Sequence, residues 1–197
     1  NGSNIIYFGE DNTVSQVYIY SMDTLNGTSF QFYKNSQIKE ECEYKKGIQN
    51  GAAKSYYENG NLESKSFYNA GNLEGEYISY YDNGKIKLTV KYVMGQKHGI
   101  QKIYYNNGQL GSQVNYNMGR REGVMTDWDS EGYKSSEVFY KRNYKVGLKK
   151  YYNHHGNVIR TEVFKMDRNP VMVKMLKDKR AETLIDLAKY GLMPQKS

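Results

Sequence analysis

If this chain does chemistry, it must draw on a short inventory of side chains. There are three histidines, His98 and the adjacent pair His154 and His155. Adjacent residues do not share a face, and no cysteine or histidine stands at ligand spacing from them, so turn polarity explains them and no metal centre is expected. Cys42 is the single cysteine. It excludes an intrachain disulfide and reads as a small buried apolar residue. Glycines stand in pairs four apart at Gly47 and Gly51, Gly71 and Gly75, Gly95 and Gly99, Gly119 and Gly123. They are no phosphate cradle, because neither a helix nor a Gly-Lys-Ser/Thr follows. They are no membrane dimer motif either, with Lys, Asn and Glu on their flanks. Nothing resembles an activated nucleophile or an acid–base pair, so a non-enzymatic protein without cofactor is expected. What remains is an aromatic surface made of Tyr33, Tyr57, Tyr81 and Tyr105. Rings with a polar tip are well suited to recognition.

Those tyrosines belong to a longer pattern. Aromatic residues recur every twelve positions from Phe8 through Tyr20, Phe32, Tyr44, Tyr56, Tyr68, Tyr80, Tyr92, Tyr104, Tyr116, Trp128, Tyr140 and Tyr152 to Phe164. With aromatics at 14% of the chain, an unbroken run of this kind signals a repeat architecture. Two kinds of link alternate between the marks, so the true period is twenty-four. One is an Asn-Gly-type turn with glycine at Gly60, Gly84, Gly108, Gly132 and Gly156; the other contains the glycine pairs. The first position of each pair holds only Gly, Asn or Asp, the residues that tolerate positive φ, which marks a left-handed turn.

The segments between turns alternate like half-buried strands, as in Ile86, Leu88, Val90 and Tyr92 against Lys87, Thr89 and Lys91. Links this short permit hairpins only. The expected fold is mainly β, an extended single-layer antiparallel meander of 24-residue hairpin repeats. A three-residue turn with glycine in the left-handed position would pair Tyr56 with Leu62, and on that basis the marks are expected one per strand and mostly on one face. The second aromatics Tyr33, Tyr57, Tyr81 and Tyr105 would face the other way, with Lys87 and Lys91 on their side. Either they form an exposed row, the candidate binding surface suited to an acidic partner or an anionic headgroup, or they pack against neighbouring hairpins on that face.

The unit Tyr56-Tyr57-Glu58-Asn59-Gly60-Asn61-Leu62, continued by Tyr68, Gly71 and Gly75, and its copy from Tyr80-Tyr81-Asp82-Asn83-Gly84 to Tyr92, Gly95 and Gly99, resemble the MORN-repeat variant of bacterial proteins often labelled YwqK-type antitoxins. The resemblance covers about residues 7–164. It implies the hairpin array and a scaffold for protein–protein interaction, antitoxin-like or immunity-like, with no catalytic residues. The first repeat departs from the pattern, as does Asp127-Trp128-Asp129 with Glu131. An alternative function is an exported cell-surface module that binds glycan or anionic lipid headgroups.

The array is expected to span residues 1–164, and residues 165–197 a helical cap. Asn169 as N-cap, Pro170 at the first helical position and Gly191 as the stop frame that helix, and a repeat array needs a cap over its last strand. The chain has 28 basic and 21 acidic residues, a formal net charge of +7. Much of the excess lies after Lys165, and no basic run within the repeats matches a nucleic-acid reader, so nucleic acid is not an expected partner. No stretch reaches transmembrane length. The chain opens on Asn1, which inclines the reading toward export without deciding the compartment.

Overall fold

A computed structural model describes residues 2–9, 12–164 and 173–176, the last four as backbone. These residues form two compact units. One comprises those up to His98 with Asn106–Gly108, the other Gly99–Tyr105 with those from Gln109 onward. All regular structure among the described residues is strand. The first unit holds β1 (Gly2–Phe8), β2 (Thr13–Ser21), β3 (Thr24–Leu25), β4 (Gly27–Phe32), β5 (Ile38–Lys45), β6 (Ile48–Tyr56), β7 (Leu62–Asn69), β8 (Asn72–Leu73), β9 (Gly75–Tyr80) and β10 (Ile86–Val93). The boundary falls inside β11 (Gln96–Tyr104), and β12 (Leu110–Asn117), β13 (Arg120–Arg121), β14 (Gly123–Trp128), β15 (Lys134–Lys141), β16 (Tyr144–Tyr152), β17 (Val158–Phe164) and β18 (Val173–Leu176) follow. Within each unit the strands run as an antiparallel meander in chain order. The two-residue strands β3, β8 and β13 are set off from the strands after them by single bulge residues. Asn26, Glu74 and Glu122 there donate to the carbonyls of Ile19, Phe67 and Asn115.

Two turn chemistries build the meander. In the Asn-Gly link, the amide of Tyr57 donates to the carbonyl of Asn61 and that of Gly60 to Tyr57. Gly60 has φ +86, as a type I turn closed by a left-handed residue requires. Asn59 fixes the loop by accepting from the amide of Asn61, as Asn35 and Asn83 do for Gln37 and Lys85. The other link is a two-residue turn with both residues left-handed, Ala70 at φ +46 and Gly71 at +81. This is type I′, whose twist matches that of the strands. Its first position is filled by Met22, Lys46, Ala70, Met94, Met118 and Arg142, all at positive φ. None is a residue type that signals such a conformation.

Tyr56 pairs with Leu62 as the three-residue turn demands, but the next pair is Ser55 with Ser64. Leu62 and Glu63 together oppose Tyr56 in a β-bulge, and that extra residue inverts the alternation of β7 relative to β6. The expectation of one aromatic stripe is therefore corrected to two. In the first unit Phe32, Tyr56 and Tyr80 lie on one face, here the first face, and Tyr44, Tyr68 and Tyr92 on the second. The second unit repeats this, with Trp128 and Tyr152 opposite Tyr140 and Phe164.

The second face carries most of the thin core. Cys42, Ala53 and Val90 are buried there in the first unit, and Val114, Val138 and Tyr140 in the second. Cys42 thus occupies the slot of the repeat valines, as its position implies, and the Gln49 amide donates to its sulfur. Of the expected C-terminal helix, Val173–Leu176 is instead an extended strand, antiparallel to β17. The N-cap, the first-turn proline and the stop glycine lie outside the described residues.

Candidate functional site

Tyr33, Tyr57 and Tyr81 sit half-buried and Tyr105 exposed, each at the start of its Asn-Gly turn. Three phenols of this row reach one repeat forward in a hydrogen bond. Tyr33 donates to the carbonyl of Tyr56 at 2.8 Å, Tyr57 to that of Tyr80 at 2.7 Å, and Tyr105 to that of Trp128 at 2.8 Å. The row therefore staples successive repeats. Burial pushes the hydroxyls of Tyr33 and Tyr57 up from the usual phenol range, helped by the Glu63 carboxylate. Of the two lysines expected beside the row, Lys87 is there, its ammonium 5.6 Å from the Tyr81 ring centre. Lys91 is not. It pairs with Glu76 on the face of Tyr80, opposite to Tyr81. The row ends where Asp129 and Asn153 take the tyrosine's place. There the side chain itself braces the turn, Asp129 accepting from the amides of Glu131 and Tyr133, and Asn153 from those of His155 and Asn157.

The charged clusters are also turned inward. On the first face of the first unit, Glu41 accepts from the Lys54 ammonium at 2.6 Å and the Tyr56 hydroxyl at 3.0 Å. The hydrogen bond from Lys54 is the chief reason its carboxyl titrates below the usual range. Four repeats later Glu137 receives Lys134, Lys150 and the Tyr152 hydroxyl. Burial pushes that carboxyl up, but the hydrogen bonds from Tyr152, Lys134 and Lys150 together hold it below the usual range. His154 lies flat on Tyr133 with ring centres 4.4 Å apart, its Nε2 3.0 Å from an Asp129 oxygen. This contact joins two successive Asn-Gly-type turns.

The feature that sequence reasoning missed is apolar. On the first face of the second unit, Val124 and Phe139 are direct cross-strand partners, 52% and 44% exposed. Phe139 also pairs with Val146, and Tyr144, two residues before it on the same face, is 51% exposed. Ile100, 52% exposed, lies across from Asn115 on the strand beside Val124. Lys102, Lys141 and Lys150 share this face. The signal was present in the sequence, since Ile100 and Val124 hold equivalent repeat positions and Phe139 holds that of Phe67. It was hidden because the parity of the strands depends on the bulges. In the first unit the corresponding slots hold Ala52 with Phe67, and Glu76 with Lys91, so those slots do not pair two large apolar side chains.

Compared with known families, the chain matches the MORN repeat variant over residues 25–46, 49–70, 73–94 and 97–118. No curated protein is significantly similar to it.

Proposed function

Residues 25–118 are a tandem run of MORN repeat variants, and from that premise we propose that the chain is a non-enzymatic scaffold that binds a protein partner through the first face of its second unit. The observation that carries this reading is the contiguous patch of Val124, Phe139 and Tyr144, each about half exposed, with the exposed Ile100 on the far side of Asn115. Scattered apolar side chains on a surface need no explanation, but a contiguous group does. Aliphatic and aromatic anchors inside a polar rim are the anatomy of a protein interface. The rim here contains Lys102 and Lys141, which favours an acidic partner. An antitoxin-like or immunity-like role is the specific form of this reading, with a toxin as that partner. The non-enzymatic part of the proposal draws on the way the polar side chains around Glu41, around Glu137 and around His154 are each engaged within their own cluster.

The test is affinity capture from source cells with the wild-type chain and with Val124→Ser combined with Phe139→Ser, both checked for fold by circular dichroism. The partner recovered by the wild type should be lost with the double variant and kept by Tyr57→Phe. Equal recovery with the double variant would overturn the proposal. The surface-module alternative is separated by pelleting with phosphatidylglycerol vesicles. Vesicle binding that survives the double variant, with no protein captured by the wild type, would favour it instead.

A further inference from the structure

Every staple of the tyrosine row consists of a ring lying forward over the next repeat and a backbone carbonyl that receives its hydroxyl. The carbonyls of Tyr56 and Tyr80 play this part in the first unit. The corresponding carbonyl one repeat earlier is that of Phe32, and the residue that should reach it stands at position 9. That residue is glycine. A Cβ built on Gly9 would meet nothing within 4 Å.

The seat itself is complete. Gln16 pairs with Gln31 in the register in which Glu40 pairs with Ser55 and Ser64 with Ser79. Phe32 pairs with Ile38 through the same bulge that sets Tyr56 against Leu62. Where the ring would lie there is an open cavity of about 330 Å³ bordered by Phe8, Ser15, Gln31, Phe32, Tyr33 and Lys39. We propose that this cavity is a socket for a tyrosine side chain supplied by a partner protein. Its ring would lie between Phe8 and Tyr33 and its hydroxyl would donate to the Phe32 carbonyl, as Tyr33 and Tyr57 do within the chain.

Charge narrows the guest further. The hydroxyl of Tyr33 feels the carboxylates of Glu63 and Glu58. Twenty-four residues earlier those positions are Lys39 and Lys34, and both border the cavity, with Glu58 on its rim. The socket therefore suits a tyrosine flanked by acidic residues. Only the source of the tyrosine rests on the reading of the chain as a protein-binding array, and a free phenol tests the socket without it.

The experiment is an amide NMR titration of the full chain with p-cresol and, separately, with 4-methylanisole, which has the same ring and no donor. p-Cresol should give saturable shifts centred on Phe8, Gln16, Gln31 and Phe32, with 4-methylanisole roughly fivefold weaker for want of one neutral hydrogen bond. Acetyl-Glu-Tyr-Glu-amide should bind more tightly than acetyl-Lys-Tyr-Lys-amide, and Gln16→Trp should abolish the p-cresol shifts. Equal binding of p-cresol and 4-methylanisole, or shifts centred elsewhere, would overturn the proposal. That wild-type comparison decides the matter even if Gln16→Trp does not fold. A positive p-cresol result beside a failed partner capture would leave the socket standing and remove the scaffold reading alone.

Discussion

Replacing Tyr57 by phenylalanine isolates the staple between repeats. The ring stays, and the only loss is the 2.7 Å hydrogen bond from its hydroxyl to the Tyr80 carbonyl, twenty-three residues along the chain. A neutral hydrogen bond contributes about 1 kcal/mol net to stability. The site is half-buried, so water can reach the Tyr80 carbonyl in the variant and the full penalty of an orphaned acceptor does not apply. The expected loss is therefore about 1 kcal/mol, read as a lower urea midpoint at unchanged slope. Tyr144→Phe is the reference, because that ring is 51% exposed and a surface change of this kind is worth at most about 0.5 kcal/mol. Tyr57→Ala, which also removes the ring, should cost roughly 2–3 kcal/mol, below the range for a fully buried aromatic. If Tyr57→Phe is no more destabilising than Tyr144→Phe, the row does not staple the repeats, and the socket inferred at Gly9 loses its template as well.

Two further outcomes follow from the geometry. Met94 is 73% exposed and held at φ +49 ahead of Gly95, so Met94→Asn creates the Asn-Gly pair that a type I′ turn prefers and should raise stability by about 0.5–1 kcal/mol in thermal unfolding. The carboxyls of Glu41 and Glu137 are held below their usual range in the folded chain; a depressed folded pKa contributes stability that is present above the unfolded value of about 4.3 and is lost as pH falls through the folded value. Urea midpoints should accordingly decline below about pH 4.3, and Glu41→Gln combined with Glu137→Gln should flatten that decline.

The periodicity of the fold was legible because aromatic and glycine spacing reports backbone geometry directly. Gly60 and Gly71 mark left-handed positions that few other residues tolerate, and the structure has both there. The faces were not legible. A bulge adds one residue without any compositional mark, and Glu63 looks like any other strand residue until its register is known. The left-handed Met94 and Lys46 were equally hidden, because the strands on either side impose that conformation on residues that would not choose it. For the site, the repeat pattern set Tyr33, Tyr57, Tyr81 and Tyr105 at the same place in each repeat, but it could not reveal that a phenol reaches the backbone of the following repeat. Lys91 was misplaced for the same reason as the aromatic marks, by an uncounted bulge, here between Ile86 and Leu88.

The most direct test of the account is oxidative footprinting of the chain alone and bound to its captured partner, read at single side chains by mass spectrometry. The account predicts strong protection of Phe139 and Tyr144 on the first face of the second unit, with Tyr57 and Tyr81 unchanged. Protection confined to the tyrosine row, with Phe139 and Tyr144 as reactive in the complex as in the free chain, would contradict it.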